Sequence, residues 1–235
     1  MRKYLIVGIA ALTALAFTAV SFAQTPAATM DVKITPTKAG TKKKPKNSKI
    51  TLKIANADSK RTLSRLTITQ PKTFKLSAKG LTKCDEAVLE ANGPAACPRA
   101  SRVGKGTAHA LVGVNGPNPT PLTFDVVAVV LGAKKLAFDL QGRELPVHVL
   151  SPGTLKGNKL IIDVPIAAQQ PAPGVWAGLV DLETTLQAKK GKNFFASTTG
   201  CKKKKHAFST VLTFVDNGVG APGNLTVKGS SKCSA

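Results

Sequence analysis

Acidic side chains and aromatic rings are what this chain has least of. Twelve Asp and Glu stand against 34 Lys and Arg in 235 residues, and the rings amount to nine Phe with one Trp and one Tyr. So few rings argue against stacking on single-stranded nucleic acid or sugars, which needs successive exposed aromatics. So few acids argue against a glycosidase, whose two carboxyl groups must face each other across roughly 5 to 9.5 Å. The only clustered carboxylates, Asp85, Glu86 and Glu90, lie within one short helical stretch and read as complements of a helix dipole. Chelating motifs are missing as well. With no CxxC and no histidine pair at ligand spacing, the sequence predicts no metal site and no cofactor. HExxH and Gly-x-Ser-x-Gly are absent, and Gly104-Lys105-Gly106 lacks the remainder of a phosphate loop and leads into a strand. His109, His148 and His206 are far apart, so a Ser/His/Asp triad would have to assemble in space. His109 reads as a strand histidine. The expectation is a protein that is not an enzyme.

Long apolar runs are confined to the first 23 residues. Arg2 and Lys3 precede an uncharged apolar run from Tyr4 to Val20, and Ser21-Phe22-Ala23 offers the small residues a signal peptidase reads. The run is shorter than the ~20 residues of a spanning helix, so the prediction is a signal peptide over 1–23, cleaved before Gln24, with no transmembrane segment afterwards. The protein is then secreted, extracellular or associated with the cell envelope. Losing Arg2 and Lys3 leaves 32 basic against 12 acidic residues, a formal +20. The four cysteines, Cys84, Cys97, Cys201 and Cys233, follow the signal and would meet an oxidising compartment. Three pairings are open. Cys84–Cys97 with Cys201–Cys233 is favoured because each pair brackets one contiguous segment.

Most of the remaining chain alternates apolar and polar residues with the period of a half-buried strand. Residues 24–30 read as a disordered leader. Strands are expected over 31–35, 49–55 and 63–69, with a short one at Phe74 and Leu76. Thr82 and Asp85 have the spacing of a capping box, opening a short helix from Cys84 to Ala91 whose inward face is Cys84, Ala87, Val88 and Ala91. Asn92-Gly93-Pro94 stops it. A long strand over 103–114 follows, its Gly104 and Gly106 suggesting a bulge or close backbone approach. Leu122 to Leu131 is apolar on both faces and reads as central. Lys135 to Leu140 returns as a hairpin, Pro146 interrupts 145–149, and Gly157-Asn158 turns into a strand through Leu160, Ile162, Val164 and Ile166. Further strands are expected over 180–186, 207–215 and 225–227. Ten to twelve strands and one helix predict an all-β chain, an immunoglobulin-like β-sandwich over 31–235. The alternative is two small β lobes divided near 169–174.

Lysine is what the sequence has in excess, with 28 Lys to 6 Arg. The runs are Lys42, Lys43, Lys44 and Lys46; Lys189, Lys190 and Lys192; and Lys202, Lys203, Lys204 and Lys205. Lysine is a hydrated point charge without the bidentate fork of arginine, which argues against sequence-specific nucleic-acid recognition. The predicted partners are anionic cell-envelope polymers or anionic surfaces, held by salt-sensitive contact with the 42–46 and 202–205 runs. The plainer role of such lysines is to solvate the surface and keep edge strands apart. Two other functions stay open: an unrecognised extracellular hydrolase, and a carrier of a small apolar ligand between the sheets.

Two blocks carry a resemblance. Cys84, Leu89, Gly93-Pro94, Cys97-Pro98, Ser101 and Val103-Gly104-Lys105-Gly106 resemble a block recurrent in uncharacterised secreted bacterial β-sandwich proteins. Cys201, Phe208, Asp216-Asn217-Gly218 and Cys233 resemble their C-terminal block. Together the blocks cover under half of the chain after residue 23. The resemblance implies a secreted β-sandwich with the two local disulfides and carries over no activity. This chain departs from many relatives in its lysine runs, so a polyanion role is not inherited.

Overall fold

The computed structural model describes residues 28–235; the expected signal and the first part of the leader lie outside the described residues. In chain order the strands are β1 (Ala28–Thr35), β2 (Lys46–Asn47), β3 (Lys49–Asn56), β4 (Thr62–Thr69), β5 (Phe74–Leu76), β6 (Arg102–Val112), β7 (Thr120–Val130) and β8 (Lys135–Gly142). They continue with β9 (His148–Lys156), β10 (Lys159–Asp163), β11 (Ala177–Leu186), β12 (Lys189–Lys190), β13 (Asn193–Phe194), β14 (Ala196–Thr198), β15 (Lys205–Val215) and β16 (Gly223–Lys232). The helices are α1 (Glu86–Asn92) and the single turn α2 (Ile166–Gln169).

The fold is all-β and sandwich-like. Eleven strands form one antiparallel sheet in the order β1-β3-β11-β6-β7-β8-β9-β10-β4-β15-β16. Strict alternation in β1, β3 and β15 sends Met30, Val32, Ile34, Ile50, Leu52, Ile54, Phe208, Leu212 and Phe214 inward. With one face apolar, the sheet buries it by folding back on itself around one core to which all its layers contribute. Its two end strands then come side by side: the Ser231 hydroxyl accepts from Ile34 N–H at 2.9 Å, and Gly229 lies against the Met30 carbonyl. A Cβ at Gly229 would stand 2.6 Å from that oxygen, so only glycine admits the approach.

β7 has a second apolar face, as expected of a central strand. Val129, with Ala137 of β8, packs under Cys84, Leu89 and Cys97, so the disulfide-linked 84–97 segment covers the outside of the sheet there. Cys84 N–H donates to the Val130 carbonyl and fixes where the cover begins. Both favoured disulfides are present, Cys84–Cys97 with Cα atoms 5.3 Å apart and Cys201–Cys233 at 5.8 Å. A bulge in the β6–β7 register falls between Arg102 and Gly104, and a Cβ on Gly106 would fall 2.1 Å from the Glu183 carbonyl of β11. The hairpin turn at Gly157-Asn158 joins β9 to β10.

Several expectations are corrected. β1 begins at Ala28, not Asp31, because Ala28 and Met30 are buried and pair with β3; the leader therefore does not extend to residue 30. Asp85, not Thr82, caps α1, accepting from the N–H groups of Ala87 and Val88. The helix turns Leu89 inward and leaves Ala87, Val88 and Ala91 exposed, because it packs through Leu89 on Val129 and Ala137. The strand after Gly157-Asn158 stops at Asp163, where Pro165 cannot donate to a ladder, and Ile166 opens α2 facing solvent. In β11 a bulge between Leu179 and Asp181 moves the inward set to Leu179, Leu182, Thr184 and Leu186, displacing Val180. Two lobes divided near 169–174 do not form, because β11 inserts between β3 and β6 of the preceding part.

Opening the Cys84–Cys97 bridge frees a 13-residue separation and loosens the cover over Val129 and Ala137. A Cys84→Ala/Cys97→Ala variant is expected to lose roughly 2 to 4 kcal/mol of stability in chemical denaturation. A loss below about 1 kcal/mol would mean that the cover contributes little.

Candidate functional site

Two of the three lysine runs meet at one end of the body. Past β1 the chain crosses to the C-terminus: Ala39 N–H donates to the Ser234 carbonyl, and Ser234 N–H to the Thr37 carbonyl. Gly40 N–H donates to Thr198 Oγ1 at 3.1 Å, and β2 pairs with β14 through Lys46 and Thr198. Cys201 follows Thr198 by three residues and is bonded to Cys233, whose N–H donates to the Lys204 carbonyl. The loop bearing Lys42, Lys43 and Lys44 is thereby held beside the turn bearing Lys202 to Lys205. All seven are exposed and Lys46 is half-buried. The third run, Lys189 to Lys192, occupies the β12–β13 hairpin near Gly80, toward the other end of β14.

The 202–205 turn carries an unusual backbone. Lys205 N–H closes it onto the Lys202 carbonyl, and Lys203 and Lys204 both take left-handed conformations, with φ of 54° and 56°. Asn-Gly is the usual choice where two central residues need positive φ. Lysine there costs about 1 kcal/mol per residue through its Cβ. Among the described residues the ion pairs use Lys53, Arg65, His109, Lys135, Arg143 and His148, and none involves Lys38 to Lys46 or Lys202 to Lys205.

The histidines do not assemble a triad. His109 pairs with Asp181 at 2.8 Å on the outer face of the sheet, and His148 pairs with the buried Asp139. His206 Nδ1 shares a hydrogen bond with Thr73 Oγ1 at 3.0 Å, with its ring edge toward Phe74. Among the described residues no histidine holds both a hydroxyl and a carboxylate, and no group of three metal-ligating side chains occurs. Asp85 is the helix cap and Glu86 pairs with Lys135, which accounts for two of the clustered carboxylates.

Two concavities lie on opposite faces of the sheet. An open groove crosses the outer face of β3, β11, β6 and β7, lined among others by Lys49, Lys53, Arg99, Arg102, His109 and Glu183. Two of its cations pair with carboxylates in the groove, Lys53 with Glu183 and His109 with Asp181, and Asp125 is held below the usual carboxylate range by its hydrogen bond from Arg143, while Lys49, Arg99, Arg102 and Lys105 enter no ion pair among the described residues. The other is an apolar cavity of about 230 Å³ inside the sheet beneath α2. No motif signals it. The small residues that create it, such as Ala108 and Ala110, obey the same alternation as any core position.

Two disulfides with no unpaired cysteine among the described residues fit an extracellular protein. No helix among the described residues is long and apolar enough to cross a membrane. No family model and no curated protein matches the chain. Among solved structures it is similar to the collagen adhesin of S. aureus at 8% identity, over 88% of this chain and 93% of that one, with a TM-score of 0.24. A likeness of that size carries no argument about function.

Burial holds the His206 imidazole below the ordinary histidine pKa. The unfolded chain therefore takes up a proton before the native one does, and stability fully present above about pH 6.5 falls as pH drops below it. Thermal melts from pH 8 to pH 5 should show this decline, and His206→Asn should flatten it. An unchanged slope in the variant would assign the decline to other groups.

Proposed function

We propose that this is a non-catalytic, envelope-associated binding protein that holds anionic polymers or anionic surfaces by its lysine-rich end. The observation that supports this reading is the convergence of Lys42 to Lys46 and Lys202 to Lys205 around the Cys201–Cys233 bridge, with no carboxylate paired to any of them. Two runs separated by about 150 residues of chain act as one patch, so their fields add at a distance comparable to the Debye length, ~10 Å at 0.1 M salt. The left-handed Lys203 and Lys204 support it further. A purely structural turn gains stability from Asn-Gly, whereas lysines at the tip are explained by what they present to a partner. Lysine in place of arginine suits contact with many polyanions and selection of none by shape.

The test is retention on heparin and on vesicles containing anionic lipid, with salt varied. Binding is expected to weaken steeply with salt and to vanish near 1 M, where the Debye length falls to ~3 Å. Lys42→Gln/Lys43→Gln/Lys44→Gln/Lys46→Gln should weaken retention on both supports with the melting temperature nearly unchanged. Lys203→Asn/Lys204→Gly separates function from folding, since it should lower retention while raising the melting temperature by a few degrees. Retention that survives 1 M salt, or that ignores both variants, would overturn the electrostatic reading.

A further inference from the structure

The cavity beneath α2 arises from a particular distribution of side-chain sizes. Ala108 and Ala110 of β6, Ala177 and Gly178 at the start of β11, and Ala167 and Ala168 of α2 line it together with Leu122, Phe124, Phe138 and Ile162, and Ala108 and Ala110 sit beside Phe124 and Leu122 on the neighbouring strand. With so many small residues in the lining, about 230 Å³ remains that the protein's own atoms do not fill. That exceeds the roughly 150 Å³ of an engineered apolar cavity that takes up benzene. Of the side chains lining it, Ser151 alone is polar. A wall of this kind rejects a charge, whose desolvation nothing inside would offset, and accepts hydrocarbon.

The cavity reaches the surface along an apolar rim. Leu145 both lines it and is 49% exposed, and Ile166, beside the lining residues Ala167 and Ala168, is 64% exposed. These are two of the large apolar side chains that the described residues leave to solvent, Leu145 on the cavity wall and Ile166 next in sequence to the lining residue Ala167. The cover itself is one helical turn whose N-cap, Pro165, supplies no side-chain hydrogen bond. From the lining, the volume and the rim, we infer that this cavity is a binding site for one uncharged hydrocarbon ligand of about ten carbons, with room for a single hydroxyl or carbonyl near Ser151. The site does not depend on the lysine-rich end, which involves none of its residues.

Isothermal titration of the intact protein with 1-decanol, naphthalene and sodium decanoate tests the inference. Decanol or naphthalene is expected to bind one per chain, to raise the melting temperature by several degrees at about a hundredfold excess over Kd, and to bind equally well in 1 M salt. Preference for decanol identifies a chain-like ligand and preference for naphthalene a ring. Decanoate should bind more weakly than decanol, because its carboxylate cannot enter. Ala110→Phe fills the cavity from the sheet and Ala168→Phe from the cover, and each should weaken uptake by about tenfold or more while leaving heparin retention intact. Ala168→Phe lies on a surface turn and keeps the test available if Ala110→Phe does not fold. Binding of neither uncharged probe, or equal binding by Ala168→Phe and the wild type, would overturn the site and leave the polyanion reading untouched.

Discussion

Everything in this molecule depends on the closing of one sheet. Eleven strands with one apolar face have no stable flat form in water, and the inward faces find each other only if β1 and β16 come together. Those two strands are not joined by a ladder. They approach through Gly229 and the Ser231 hydroxyl, where a larger residue or an apolar one would hold them apart. The closure also decides where the chain's charges go. Once β1 lies beside β16, the loop after β1 must run past Ser234, and the lysines at both ends of the folded chain are collected at one place.

The two disulfides serve different layers of this arrangement. Cys84–Cys97 lies outside the sheet and spares the apolar outer face of β7 and β8 from water, a task one seven-residue helix would do poorly alone. Cys201–Cys233 ties the segment before β15 to the end of β16, so it fixes the turn through Lys202 to Lys205 against like-charge repulsion from the neighbouring lysine loop. The basic end is consequently costly in two ways, through repulsion and through left-handed lysines, and both costs are met by covalent and backbone constraints close by.

Local pattern carried most of the strands. Period-two alternation marked β3, β4, β6, β7, β15 and their turns because burial of one face acts residue by residue along the strand. It misplaced the elements in which a tertiary partner intervenes. The bulge in β11 turns Leu179 inward in place of Val180, a choice made by pairing with β6 and β3. Leu89 replaces Val88 as the buried residue of α1 because the helix packs on Val129 and Ala137, a surface that lies 40 residues on. The cysteines paired as their spacing suggested because each pair closes a local segment.

The lysine runs were visible as composition, but their union was not, since charge has no periodicity that names a spatial neighbour. The cavity was invisible for a related reason: an alanine facing inward looks the same whether a phenylalanine or an open volume stands opposite. By itself the sequence determined the strand pattern, the strong positive charge and the short-range cysteine pairs, all properties of residues near one another along the chain. Tertiary structure alone decided that one sheet closes on itself, that two distant lysine runs form one patch, and that small residues from three elements enclose a volume. Each of these is a relation between segments whose meeting is set by packing across the whole core.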